Sequence, residues 1–207
     1  MKILNRQIPI RGTIKKTQEI ARKNIIKSTA PLIYNVCNIL PNGFSQKLMG
    51  FLDKFMPKKQ HYIQKLSDSF YCGSEIGGKE VENIAQRGIK VVVDLKVQSK
   101  KNIQNLMNLC KKNEVLYQNI PINIFGKPAA SMEQIINVIK KATKENPVYV
   151  HCKYGEDRTG FVRGLYLLLK EKKEMPEVLS ELKKNGYKFE ILKQFTKKLH
   201  EMSNFCL

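Results

Sequence analysis

Apolar and polar positions alternate between two periods along this 207-residue chain, and the period changes mark its elements. Phe70 to Ser74 reads as a short strand. Lys79 to Arg87 follows as a helix ended by Gly88, and Ile89 to Leu95 is a strand apolar on both faces, as in a sheet covered on two sides. Ser99 to Lys112 is predicted helical and Val115 to Ile122 extended. Ser131, with Gln134 three residues on, predicts a capped helix running to about Lys144. Val148 to Val150 is a buried strand, and Thr159 to Leu169 is the helix that leaves it. Pro176 opens a helix that stops at Gly186, and a last helix is expected over about 189–202. This order predicts an α/β domain over residues 66–207, with a central, mostly parallel sheet flanked by helices.

Residues 1–65 read differently, as a basic, partly amphipathic helical extension. Ile10, Ile14, Ala21 and Ile25 recur at helical spacing. Phe44, Leu48, Phe51, Leu52 and Phe55 recur more cleanly, between a Pro41-Asn42-Gly43 turn and Pro57. That stripe can pack on the catalytic domain as core, or lie at a lipid surface as a basic amphipathic helix. The sequence leaves both open.

Charge sharpens this division. The formal net charge is +19. Residues 1–65 hold 13 basic and 2 acidic side chains, so more than half of the excess sits in the shorter segment. Such a field attracts polyanions, here an anionic membrane surface or inositol phosphates rather than nucleic acid. A lysine-rich surface with no ligand is the plain alternative. No run of about 18 apolar residues is present, so no membrane-spanning helix is expected. Pro31 to Leu40 is broken by asparagines and follows basic sequence, which makes it a poor signal peptide.

The candidate chemistry is concentrated in Val150-His151-Cys152-Lys153-Tyr154-Gly155-Glu156-Asp157-Arg158-Thr159-Gly160. A loop between strand and helix wraps its N–H groups around an anion at the helix N-terminus. The same amides and the helix dipole favour a thiolate at Cys152. Arg158 presents a planar fork to two phosphate oxygens, which a lysine cannot copy. Gly155 and Gly160 permit tight turning and close approach to the ligand. No zinc site or cofactor is expected. His151 and Cys152 are adjacent, and Cys37, Cys72, Cys110 and Cys206 lack paired ligand spacing. Five cysteines without a disulfide framework suggest a reducing, cytoplasmic compartment, with peripheral membrane attachment through residues 1–65 as the alternative.

His-Cys-x5-Arg-Thr-Gly on a strand–loop–helix unit resembles the cysteine-dependent phosphatases, specifically the compact dual-specificity branch. Phe70-Tyr71-Cys72-Gly73-Ser74, Gly88 to Leu95 and Ile120-Pro121-Ile122 extend the resemblance over roughly residues 66–207. A sulfurtransferase or arsenate reductase could also use Cys-x5-Arg, but the Arg-Thr-Gly continuation fits the phosphatases better. The resemblance implies that Cys152 attacks phosphorus to form a phosphocysteine, with Arg158 and the loop amides stabilising the equatorial oxygens. Thr159 would donate to the sulfur as it leaves, and His151 and Gly160 would order the loop.

A leaving alkoxide also needs a proton. The stretch Asn123 to Ala130, where the family often carries an aspartic acid, has no carboxylate. The expected acid is therefore Asp157, as proposed for the similar loops of myotubularins and some bacterial inositol-phosphate phosphatases, with Glu156 the other candidate. Asp94 reads as structural. Lys153 after the cysteine is similar to the tensin-related lipid phosphatase, Tyr154 would wall the site, and Lys127 would face it from the opposite loop. Glu156 opposes binding of a polyphosphorylated ring. The expected substrate is a phosphoinositide or inositol phosphate. Phosphoproteins are the first alternative, and a non-catalytic phosphate-binding module is the second.

Overall fold

The computed structural model describes residues 61–122, 129–185 and 193–204, all of them in the unit Lys59–Leu207. The expectations for the extension before residue 61, and for Lys127, lie outside the described residues. Among those described, five strands form one sheet in the order β1-β2-β5-β3-β4. They are β1 (Ile63–Lys65), β2 (Phe70–Gly73), β3 (Val91–Asp94), β4 (Leu116–Asn119) and β5 (Val148–His151). All pairings are parallel except β1 with β2. The antiparallel β1 lies N-terminal to residue 66, where the sequence reading began the domain. Three residues are too few for a visible alternation.

Val148-Tyr149-Val150-His151 is buried at every position because β5 is central and both of its faces are covered. On one face Val92, Tyr117, Tyr149 and Tyr71 meet α1 (Gly78–Gln86) and α2 (Lys100–Lys112) through Val81, Ile84 and Cys110. The other face receives α3 (Ala129–Lys141) and α4 (Asp157–Leu169). Phe70 stacks on Tyr166 of α4 with ring centroids 4.4 Å apart. α5 (Met175–Lys184) and α6 (Lys193–Asn204) cover the outer side of α4, where Phe161 stacks on Phe195 at 4.8 Å. This covering accounts for the near-complete burial of α4 from Thr159 to Leu168.

Three expected boundaries move. Ser131 lies inside α3, and its hydroxyl donates to the Pro121 carbonyl at 2.7 Å instead of capping the helix. α3 ends at Lys141, because a turn closed by the Asn146 N–H on the Thr143 carbonyl and hydroxyl takes over. α4 begins at Asp157, so Asp157 and Arg158 belong to its first turn rather than to the loop. Two strands are also shorter than expected: β3 covers only Val91–Asp94 and β4 only Leu116–Asn119. The Ser99 hydroxyl accepts the Asn102 N–H and caps α2.

Candidate active site

β3, β4 and β5 end together, and the chain enters β5 last, between strands already placed. The C-terminal end of the central strand therefore opens at a topological switch point, where α/β sheets bind ligands. His151 ends β5, Cys152 follows it, and α4 starts five residues later. The segment 152–156 is the candidate phosphate loop.

Cys152 is 3% exposed, and Thr159 is fully buried at the inner side of the first helical turn. The Thr159 hydroxyl has no hydrogen-bond partner among the described residues, an unusual condition for a buried donor. Arg158 is half-buried. One of its guanidinium nitrogens donates to the Leu95 carbonyl at 3.3 Å, which holds the fork at the end of β3. Lys153 and Tyr154 are half-buried, with the ammonium 5.3 Å from the ring centroid. Glu156 is the residue before the helix, and its carbonyl accepts the Gly160 N–H at 2.5 Å. Asp157 follows as the first helical residue, half-buried, and Gly160 is buried.

Gly155 has φ +73°, in the left-handed region where a side chain is strained. A Cβ there would also collide with the Tyr62 hydroxyl and with the backbone of Gly73. Both constraints demand glycine at this position.

Side chains and amides outside the loop grip its carbonyl groups. His151 Nδ1 lies 3.3 Å from the Cys152 carbonyl; a carbonyl only accepts, so this bond puts the imidazole proton on Nδ1. The Glu75 N–H donates to the Lys153 carbonyl at 3.2 Å. The Tyr62 hydroxyl donates to the Gly155 carbonyl at 2.8 Å. His151 is fully buried, and burial lowers its pKa to about 4 despite the opposing pull of Asp94. It is therefore a neutral ring at any ordinary pH.

Beneath His151 sits Asp94, also fully buried. Its carboxylate accepts from the Lys96 N–H (2.8 Å), the Gln98 side chain (2.8 Å) and the Tyr117 hydroxyl (3.0 Å). Lys96 in turn pairs with Glu75 at 2.6 Å. Among the described residues, no group of three or more His, Cys, Asp or Glu side chains is arranged to hold a metal ion. Also among them, no helix is long and apolar enough to cross a membrane.

Sequence reasoning missed Tyr62, Glu75 and the cage around Asp94. Tyr62 sits in the segment assigned to the extension, and its partner is 93 residues away. Only the buried Asp at the end of an apolar strand carried a signal, and it pointed no further than a structural role.

The sequence matches the family model described as a DSP-PTPase phosphatase fused to NAD+ kinase over residues 51–198. No curated protein matches it in sequence. Several solved phosphatases share its fold. TpbA of P. aeruginosa is 16% identical with a TM-score of 0.56, covering 70% of this chain and 89% of its own. A putative phosphatase of Shewanella putrefaciens is 19% identical with a TM-score of 0.56, covering 69% and 88%. The kinase associated phosphatase is 19% identical with a TM-score of 0.56, covering 72% and 98%. At such identities the likeness is one of fold, whereas the family model spans most of the chain. This chain belongs to the DSP-PTPase family that the model describes and is a cysteine-dependent phosphatase.

Proposed function

We propose that Cys152 is the nucleophile of a phosphate monoester hydrolase that works through a phosphocysteine, with a phosphoinositide or inositol phosphate as substrate. The observation that carries the catalytic part is the seating of Cys152 at the mouth of α4. Arg158 is held by the Leu95 carbonyl, and the buried Thr159 hydroxyl one residue further on has no partner among the described residues. In this reading Cys152 Sγ attacks phosphorus, the ester oxygen leaves with a proton from Asp157, and water then cleaves the S–P bond. Arg158 and the loop N–H groups carry the equatorial oxygens through both steps. The Thr159 hydroxyl donates to the sulfur as it departs, and His151 and Gly160 keep the loop in shape.

Support for an inositol-based substrate comes from charge. Lys153 stands in the loop with its ammonium 5.3 Å from the centre of the Tyr154 ring, and residues 1–65 bring a strong positive surplus that draws polyanions. Tyr154 and Gly155 would border the bound phosphate, Lys127 would face it from the opposite loop, and Glu156 limits the negative charge a substrate can bring. Residues 1–65 would meet an anionic membrane surface.

A phosphotyrosyl substrate is the second reading. TpbA, which shares the fold, has been crystallised in complex with pTyr. Phosphate release from phosphoinositides, soluble inositol phosphates and phosphotyrosyl peptides, measured for wild type and Cys152→Ser, separates the two. Faster release from the inositol compounds is expected. Preference for the peptides rejects the substrate assignment, and turnover retained in Cys152→Ser rejects the nucleophile.

A further inference from the structure

The geometry points to Tyr62 as a positioning residue that sets the anion-binding shape of the phosphate loop from outside, through the Gly155 carbonyl. This rests on the phosphate-loop reading above and adds a residue that the loop motif does not contain. In a planar trans peptide the C=O of one residue and the N–H of the next point in opposite directions. Each loop carbonyl drawn outward therefore turns the following N–H inward.

Three carbonyls of the loop are drawn outward by three different groups. His151 Nδ1–H holds that of Cys152, the Glu75 N–H holds that of Lys153, and the Tyr62 hydroxyl holds that of Gly155. The N–H groups left facing the hollow are those of Lys153, Tyr154 and Glu156. Successive N–H groups converging in this way form an anion nest. The first two clamps come from the strand itself and from a backbone amide. The third comes from a side chain 93 residues away in sequence, and it acts at Gly155, the residue with φ +73°. That is where the chain changes hand before entering the helix, and where a flexible glycine would otherwise let the peptide rotate.

Tyr62 is itself well fixed. Its N–H donates to the Ser74 hydroxyl at 3.1 Å, and its carbonyl accepts the Ser74 N–H at 3.2 Å. Burial holds the phenol proton well above the ordinary range, so the donor persists across any assay pH. The residue also enters β1 directly, where the described domain begins.

The test compares wild type, Tyr62→Phe and Tyr166→Phe for tungstate binding by calorimetry and for hydrolysis of p-nitrophenyl phosphate. Tyr166→Phe removes a hydroxyl bond to Ser67 of the same length, 2.8 Å, far along α4 from the loop. Losing one well-placed donor is expected to weaken tungstate binding about tenfold and to lower kcat/KM by a similar factor. The melting temperature should stay within a few degrees of wild type, and Tyr166→Phe should bind tungstate as wild type does. Tungstate affinity of Tyr62→Phe within about twofold of wild type overturns the assignment.

Should Tyr62→Phe not fold, amide NMR of the wild type decides instead. The Tyr154 and Glu156 N–H signals must move on tungstate addition, and an unmoved Glu156 signal sinks the proposal. Wild type that binds tungstate but hydrolyses nothing defeats the catalytic reading alone, because the tungstate comparison still stands. Wild type that binds no tungstate defeats the loop and the Tyr62 clamp together.

Discussion

Asp94 and His151 face each other across the parallel pair β3–β5, with Asp94 Oδ1 4.0 Å from His151 Nδ1 and both side chains wholly removed from solvent. The carboxylate's three donors and the neutral imidazole form the floor on which the phosphate loop rests. A carboxyl group at this depth is tolerated because both of its oxygens are hydrogen-bonded and the Lys96 ammonium lies 3.9 Å from Oδ2.

Asp94→Asn should therefore destabilise the fold. The amide cannot accept at both positions, so either the Lys96 N–H or the Gln98 side chain and Tyr117 hydroxyl lose a partner. A loss of about 2–4 kcal/mol is expected, read as a lower midpoint in urea. Tyr117→Phe removes one donor and leaves the others, so its cost should be the smaller, about 1–2 kcal/mol. Equal costs for the two would place the importance in the tyrosine, not in the carboxylate.

The pH dependence of stability should carry the signature of His151. Burial lowers its pKa to about 4 in the folded state, whereas an unfolded histidine titrates near 6.5. Between these values the unfolded chain holds the extra proton, so stability falls as pH drops from 6.5 towards 4 and then levels. The contribution amounts to ~3 kcal/mol over that window. Urea unfolding at several pH values, compared with His151→Gln, isolates it. A difference between the two proteins that does not change with pH would contradict the neutral, buried ring.

Gly155→Ala tests the left-handed turn. The methyl group meets both a disfavoured φ and the Tyr62 hydroxyl, so the variant should lose at least about 1–3 kcal/mol of stability. Turnover should drop by more than the stability loss explains at temperatures where the variant remains folded. Near-normal turnover would show that the loop tolerates another path.

The proton donor is assigned by leaving-group dependence. Asp157→Asn should slow hydrolysis of alkyl phosphates strongly, on the order of 10²-fold, and that of p-nitrophenyl phosphate little, because only a poor leaving group needs a strong acid. Equal slowing of both would make Asp157 structural. Cys152→Ser should abolish turnover on both substrates while keeping oxyanion affinity.

Much of this could be read directly from the chain. The unit from Val148 to Leu169 is contiguous, so its apolar strand, its glycines and the Cys-x5-Arg spacing stand together in the sequence. Ser99 marks α2 for the same reason, since a cap acts on the N–H three residues away. Local signals misled where a tertiary partner competed. Ser131 has the sequence of a cap, yet its hydroxyl is taken by Pro121. The start of α4 moved back to Asp157, which turns two presumed loop residues into the first helical turn.

By itself the amino-acid order determined the chemistry on offer at residues 151–160 and the alternation of strands and helices, because backbone preferences and an anion nest act over a few neighbours. Only the folded sheet decided what holds that chemistry in place. Its strand order carries Asp94 beneath His151 and brings the Tyr62 hydroxyl to the Gly155 carbonyl. Those meetings depend on register and crossover between segments 57 and 93 residues apart, and such distances leave no periodic trace in a sequence.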